Sequence, residues 1–265
     1  MLQSPDLETF LACRKENFAV LPDLVWFEIY KQADLNAVLS GLNILLRFPD
    51  QVIVTQNGHH ISGLDPSSRA FNTAILMPGA SGRLREMSDA LRRARAGEPA
   101  VFNQLTRLWA DAASLSTGMF DGVDDIVESM TEMAAMFTVE EVRRIRTEQK
   151  YTPEMTAKTF GAAGEIYEVL CELRGYGPHT RPTMFNAYLY RFALGMCLYL
   201  IWWIRHGNQT SKKKERVRND VVDLGIAVTA SYFDGLLTND AKARWLYDEL
   251  RSALAFVTAA DALER

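Results

Sequence analysis

Three aspartates near the C-terminal end have the type and spacing that could do chemistry. Asp220 and Asp223 are three residues apart, which places both carboxylates on one face of a helix, about one turn apart. Asp240 directly follows residues 235–238, a predicted short strand, and Asn239. Open α/β sheets present their ligands at the carboxyl ends of strands. We therefore expect the three carboxylates to meet at one rim of a sheet.

Clustered carboxylates are typical of a site for a divalent cation. They raise one another's pKa unless a cation lies between them, and an oxygen-only set without histidine suits Mg²⁺ or Mn²⁺ rather than zinc. A purely structural explanation is also open for each residue. Asp220 can stabilise the helix dipole, Asp223 can be solvated, and Asn239 or Asp240 can cap a helix that starts at Ala241.

A fourth acid, Glu28, lies in an apolar stretch close to the N-terminal end. Its neighbours are aromatic or aliphatic, namely Trp26, Phe27, Ile29 and Tyr30. A carboxylate in such surroundings favours a partner, because burial of an unpaired charge is costly. The alternative is an exposed helical acid that interacts with Lys31 or Gln32.

Basic residues immediately precede the acidic helix. The run consists of Lys212, Lys213, Lys214, Arg216 and Arg218, with Glu215 as the one acid among them. This position favours contact with a nucleic-acid backbone next to the carboxylates. The alternative is a solvated linker. The four histidines show no ligand spacing and are assigned no chemistry.

Composition favours a folded, cytoplasmic protein. The chain has 265 residues, 48% of them hydrophobic, and a formal net charge of −4, so no global positive field attracts nucleic acid or membranes. The three cysteines have no paired spacing, and the first residues do not resemble a signal peptide. The most apolar stretch, residues 193–204, is shorter than the about 20 residues of a membrane span. We expect no membrane partner.

Strand and helix patterns alternate at both ends of the chain. Short strands are predicted at residues 18–21, 51–55 and 235–238, and helices at 219–231 and 241–254. The pattern from 83 to 174 is almost wholly helical. This indicates an α/β fold with an open, mostly parallel sheet. Residues 1–58 and 207–265 are predicted to form one split domain, and 59–206 a helical insertion.

Two segments resemble the PIN-like domain, a superfamily of metal-dependent ribonucleases. FAVLPDLVWFEIYK is similar to the PIN segment in which a strand leads to a helix with an inward-facing Glu, here Glu28. NDVVDLGIAVTASYFDGLLTND is similar to the end of a PIN domain. The chain looks like a large, bacterial-type member with a helical insertion.

The resemblance implies a nuclease, most simply an endoribonuclease. Glu28, Asp223 and Asp240 would be catalytic and would hold Mg²⁺ or Mn²⁺, with Asp220 beside them and Thr238 and Asn239 supporting them. The implied partner is RNA, with single-stranded DNA as an alternative substrate and an antitoxin or other protein as a further partner. Neither the substrate sequence nor the oligomeric state follows from the resemblance.

One part of the PIN pattern is missing. Its first acid ends a first strand, and no such strand or acid precedes the helix predicted from Asp6. We expect the natural protein to start upstream of Met1. The alternative is a catalytically degenerate module that binds nucleic acid or protein without cutting. A third interpretation is a helical interaction protein in which the acid spacing is accidental.

Overall fold

The computed structural model describes residues 2–30, 33–121, 123–147, 151–207 and 214–263, and these are mostly helical with a small parallel sheet. The chain divides into two compact units, Met1–Ile61 with Asn72–Met119, and Ser62–Phe71 with Phe120–Arg265. The elements in chain order are α1 (Pro5–Cys13), β1 (Ala19–Leu21), α2 (Asp23–Tyr30), α3 (Leu35–Leu42), β2 (Val52–Val54), α4 (Gly58–Ser62), α5 (Phe71–Ala74), α6 (Ala80–Arg95), α7 (Pro99–Asp121), α8 (Val123–Ala134), α9 (Val139–Thr147), α10 (Pro153–Leu173), α11 (Tyr188–Arg205), α12 (Lys214–Ala230) and α13 (Ala241–Leu263).

The first unit contains the sheet. Strands β1 and β2 are parallel, with Ala19 opposite Val52 and Leu21 opposite Val54. Both strands consist of branched or small apolar residues that suit a pleated, half-buried surface. Pro22 ends β1 because it has no backbone N–H for a ladder. The strands predicted at 18–21 and 51–55 are thereby confirmed.

Helix α6 packs on β2, and α3 packs on α6 to complete the core of the first unit. Fully buried leucines and valines supply that core, among them Val38, Leu42, Val52, Leu84 and Leu91. Asp34 caps α3 by accepting hydrogen bonds from the backbone N–H groups of Asn36 and Ala37. Helix α3 therefore begins at this cap as an element separate from α2.

The second unit is a helical bundle around α11, a long helix with eleven buried residues. Helices α10, α12 and α13 pack against it. Gly195 marks the closest approach of α11 to α12, because a Cβ there would lie 2.7 Å from Leu224 Cδ1 and 3.2 Å from Val228 Cγ2. In the described ranges, none of the helices combines the length and hydropathy needed to span a bilayer.

Residues 235–238 form a loop in the structure, so the strand predicted there is wrong. The segment is short, and its buried Thr238 forms local turn contacts in place of ladder bonds. Residues 207–265 group with 120–206 in the second unit, whereas the sequence pattern grouped them with residues 1–58. The reason is the packing of α12 and α13 on α11.

Candidate carboxylate site

Asp220, Asp223 and Asp240 lie near one another at the α12–α13 junction of the second unit. The first two project from α12, and Asp240 stands one residue before α13. Lys242 contacts both Asp220 and Asp223, and the charges of Asp240 and Asp220 add to the burial that raises the pKa of Asp223. The helical spacing and the junction between α12 and α13 therefore bring together the acids that the sequence singled out in this region.

Lys242 supplies a cation to this group. Its Nζ contacts Asp220 Oδ1 and lies 3.3 Å from Asp223 Oδ2. The ammonium also lies 5.9 Å from the centre of the Tyr199 ring, within the range of a cation–π attraction. One ammonium thus joins α13 to two carboxylates on α12.

Tyr199 on α11 completes the surroundings of Asp220. Its hydroxyl donates a hydrogen bond to Asp220 Oδ2. Burial, followed by this bond to Asp220, strongly raises the pKa of Tyr199, so the hydroxyl keeps its proton and remains a donor. Asp220 is therefore held by Tyr199 on one oxygen and by Lys242 on the other.

The carboxyl of Asp223 is only partly exposed, and this affects its pKa. Burial is the largest cause of its raised pKa, and Lys242 opposes the shift. The charged form is thus disfavoured by loss of water and favoured by one lysine. Loss of the lysine charge would leave Asp223 next to two other carboxylates.

Asp240 is oriented by its neighbours in the loop. The Asp240 N–H donates to Thr238 Oγ1 at 3.1 Å, and Asp240 Oδ1 accepts from the Ala243 N–H at 2.8 Å. Asp240 is therefore the N-cap of α13, as one of the two sequence interpretations predicted. Thr238 is buried and Asn239 is exposed, so Thr238 is the residue that supports Asp240 from behind.

Glu28 lies on α2 in the first unit. One of its carboxylate oxygens, Oε1, is buried, which agrees with its position in an apolar stretch. The aspartates belong to the second unit, and the convergence of Glu28 with them stays a prediction.

The basic run has several environments. Lys212 and Lys213 lie outside the described residues, and Lys214 begins α12. Arg216 is exposed. Arg218 is buried, and its guanidinium donates to Asn219 Oδ1 at 3.0 Å. Of the two described arginines of this run, Arg216 is thus the one whose side chain faces solvent.

The donor types suit Mg²⁺ or Mn²⁺, but their present arrangement does not. Among the side chains that the structure describes, no group of three or more His, Cys, Asp or Glu residues is placed to hold a metal ion. At the aspartates the reason is physical, since Lys242 uses oxygens of Asp220 and Asp223 and the Ala243 amide uses one of Asp240. A metal ion requires a rearrangement of these partners.

Lys242 and Tyr199 are the two residues of this site that the sequence pattern missed. Lys242 follows Asp240 by two positions, so its place in the first turn of the predicted helix was available as a signal. Tyr199 precedes Asp220 by 21 residues, and only the packing of α11 on α12 brings it near. Nothing in the local sequence signals that contact.

A second polar position lies at the carboxyl end of β1. Asp23 follows Leu21 and Pro22, and its Oδ2 accepts a hydrogen bond from the Gly58 N–H at 3.4 Å. Burial is the largest cause of its raised pKa, and backbone hydrogen bonds, first that of Gly58, oppose the shift. This carboxyl thus occupies the edge where parallel sheets present ligands.

The raised pKa of Asp23 predicts the direction of a pH effect. The folded state holds the Asp23 proton more tightly than the unfolded state, so the contribution of Asp23 to stability falls as pH rises through the raised pKa. Asp23→Asn keeps an acceptor for Gly58 and carries no charge. We expect this variant to be more stable than wild type at pH 7, with an advantage that vanishes as pH falls below the ordinary aspartate value of 3.8.

Urea unfolding over a series of pH values measures the Asp23 effect. Asp65→Asn is the matched control, because hydrogen bonds from Ser67 lower the pKa of Asp65. That control should be less stable than wild type at pH 7, which is the opposite sign. An Asp23→Asn variant that is less stable than wild type at pH 7 would contradict the prediction.

Comparisons with protein-family models, with curated proteins and with solved structures gave no match.

Proposed function

We propose that the protein is a metal-dependent nuclease with a PIN-like fold that hydrolyses phosphodiester bonds, most simply as an endoribonuclease. The observation that supports this proposal is the proximity of Asp220, Asp223 and Asp240 at the α12–α13 junction. A divalent ion held by these oxygens would activate water and offset charge on the scissile phosphate. The two resemblances to PIN segments support the same activity.

The residues of the chain have distinct parts in this proposal. Asp223 and Asp240 provide carboxylate oxygens, Asp220 lies beside them, and Glu28 is expected to add a fourth carboxylate. Thr238 orients Asp240 through the hydrogen bond from the Asp240 N–H. Arg216 is exposed next to the acids on the same helix, where it can attract phosphate.

The test is cleavage of a labelled single-stranded RNA by the purified chain in Mn²⁺ and in EDTA. We expect cleavage in Mn²⁺ and none in EDTA. A single-stranded DNA of the same sequence shows whether the protein cleaves RNA, DNA or both. Absence of Mn²⁺-dependent cleavage of either substrate would contradict the nuclease proposal.

The second candidate is a PIN-like module that binds nucleic acid or protein without cutting. Lys242 favours this candidate, because its ammonium already neutralises charge at Asp220 and Asp223 without a metal ion. RNA binding without Mn²⁺-dependent cleavage is the result that would select it.

The nuclease and a module that binds nucleic acid without cutting both predict that the basic run contacts phosphate. Charge reversal of Lys212, Lys213 and Lys214 to Glu is expected to weaken RNA binding and to reduce the slope of log affinity against log salt by about 2, since each lost contact contributes about 0.7 on a single strand. Fluorescence anisotropy over a salt series measures the slope. The same reversal of Arg92, Arg93 and Arg95, at the end of α6, is the control. An unchanged slope would identify the lysines as a solvated linker.

A further inference from the structure

Three aromatic side chains contact one another in a row at the C-terminal end of α11. The ring centre of Trp202 lies 5.2 Å from that of Trp245 on α13 and 4.0 Å from that of His206. Trp245 packs against the core of the second unit, Trp202 is partly exposed and His206 is exposed. This aromatic row therefore leads from the core to the solvent, and His206 is its outer ring.

The imidazole of His206 has a fixed orientation although it is exposed. Its Nδ1 lies 2.7 Å from the Trp202 carbonyl oxygen, and because a carbonyl only accepts, Nδ1 carries the proton and donates it. The same imidazole lies against the Trp202 indole. Two contacts thus restrict the rotamers of this side chain before any ligand arrives, and a preorganised group loses less entropy on binding.

Arg205 places a cation beside the aromatic row. Its guanidinium lies 6.0 Å from the centre of the Trp245 ring, at the outer limit of a cation–π attraction. Glu249 on α13 balances part of this charge, since burial raises the pKa of Glu249 and Arg205 opposes the shift.

Arg216 provides a second cation at the same end of the helical bundle. The hydrogen bond between Tyr199 and Asp220 fixes the register of the antiparallel helices α11 and α12. One turn further toward the end of α11, Trp203 is therefore level with Arg216. The Arg216 side chain is exposed. An exposed ring with cations on two sides suits a ligand that carries both negative charge and flat apolar faces.

We propose that the aromatic row is a stacking platform for a base of single-stranded RNA, in which His206 meets the base and Arg205 and Arg216 meet the neighbouring phosphates. This inference rests on the RNA partner of the proposed function. Proteins that bind single strands combine positive charge along the backbone with aromatic rings on which bases stack, and histidine is one of the residues that stack RNA bases. A membrane surface is a less suitable partner, because it favours protruding apolar side chains, whereas Trp202 and Trp245 are only partly exposed.

The experiment compares the binding of a short oligouridylate with that of an abasic strand of the same length and charge, by fluorescence anisotropy in EDTA. We expect the wild-type chain to bind oligouridylate about tenfold more tightly, which is the order of the contribution of one stacked base. His206→Asn removes the ring but keeps a side-chain N–H donor, and it should bind the two strands alike. His206→Phe keeps a ring without the N–H and should retain the preference. His60→Asn, at an exposed histidine of the first unit, is the matched control and should bind like wild type.

Three results would overturn the inference. The first is equal binding of the two strands by the wild-type chain, and the second is an unchanged preference in His206→Asn, which would leave His206 as a cap of α11 only. The third is binding of phosphatidylserine vesicles without binding of oligouridylate, which would assign the aromatic row to a membrane surface. Absence of Mn²⁺-dependent cleavage counts against the nuclease proposal alone, because the binding comparison is made without metal.

A second measurement covers the case in which the His206 variants do not fold. The wild-type chain is labelled with 5-fluorotryptophan, and the Trp202 resonance is assigned with Trp202→Phe. Oligouridylate should shift the ¹⁹F resonance of Trp202, whereas that of Trp109, which is buried in the first unit, should not move. A Trp202 resonance that stays in place at saturating oligouridylate would overturn the inference.

Discussion

Under the proposed nuclease function, Asp223→Asn is expected to lower Mn²⁺-dependent RNA cleavage by more than about 100-fold. Loss of an outer group that supports a metal ligand lowers metal affinity or activity by about 10–100-fold. Loss of a ligand itself should therefore lower the cleavage rate by more. Asparagine keeps the shape of aspartate but lacks the negative charge that a metal ion requires. Cleavage rates at saturating Mn²⁺ measure the effect.

The fold should survive the Asp223→Asn change. Burial raises the pKa of Asp223, so the charged carboxylate is held against a desolvation cost that asparagine does not carry. Lys242 also keeps its contact with Asp220. Asp248→Asn, an exposed position on α13, is the matched control and should cleave like wild type. Equal rates for the two variants would exclude Asp223 from catalysis.

Arg191→Met is expected to lower the free energy of unfolding by about 3 kcal/mol or more. Arg191 donates to the Phe185 carbonyl at 3.1 Å, to the Ser231 carbonyl at 2.9 Å and to Asn186 Oδ1 at 3.0 Å. Each buried acceptor left without a donor costs about 1–3 kcal/mol, and of these acceptors the Ser231 carbonyl keeps its longer bond from Arg251. The guanidinium also lies 3.7 Å from the centre of the Tyr232 ring.

The structural cause is that one planar guanidinium on α11 joins two other segments of the second unit. Its donors reach the turn before α11 and the end of α12 while its face covers Tyr232. Burial lowers the pKa of Arg191, but a guanidinium stays charged in proteins. Arg191→Lys should restore less than half of the loss, because one ammonium does not match a planar fork of donors.

Arg251→Met provides the control for Arg191. Arg251 is exposed and donates to the Ser231 and Phe233 carbonyls at the longer distances of 3.3 and 3.4 Å. Its loss should cost less than about 1 kcal/mol. Guanidinium chloride unfolding of both variants gives the comparison. Equal destabilisation by the two changes would show that burial and bond geometry do not determine how much these arginines contribute to the free energy of unfolding.

The parts of the fold that the sequence predicted correctly have strong local signals. Strand β1 ends at a proline, and the Val-Ile-Val run of β2 suits a buried strand. Gly235 to Thr238 is less apolar, with two leucines between a glycine and a threonine, and it forms a loop. Strand formation depends on a partner strand, and four residues do not encode whether one is near.

The candidate site was partly predictable because some of its features are local in the sequence. The i, i+3 spacing of Asp220 and Asp223 is local, and so is the capping position of Asp240. Lys242 and Tyr199 join them through packing of α13 and α11 on α12. Helix packing is set by many side chains together, so a single sequence motif does not reveal which cation or hydroxyl meets the acids.

The close contact at Gly195 limits how sequences with this arrangement can diverge. A methyl group at position 195 would overlap Leu224 and crowd Val228, so replacement of the glycine requires another rotamer of Leu224, a smaller residue at 224 or a wider separation of α11 and α12. Related chains that keep the helix separation are expected to show coupled substitution at 195, 224 and 228. That covariation would be a signature of the α11–α12 interface independent of the acidic residues.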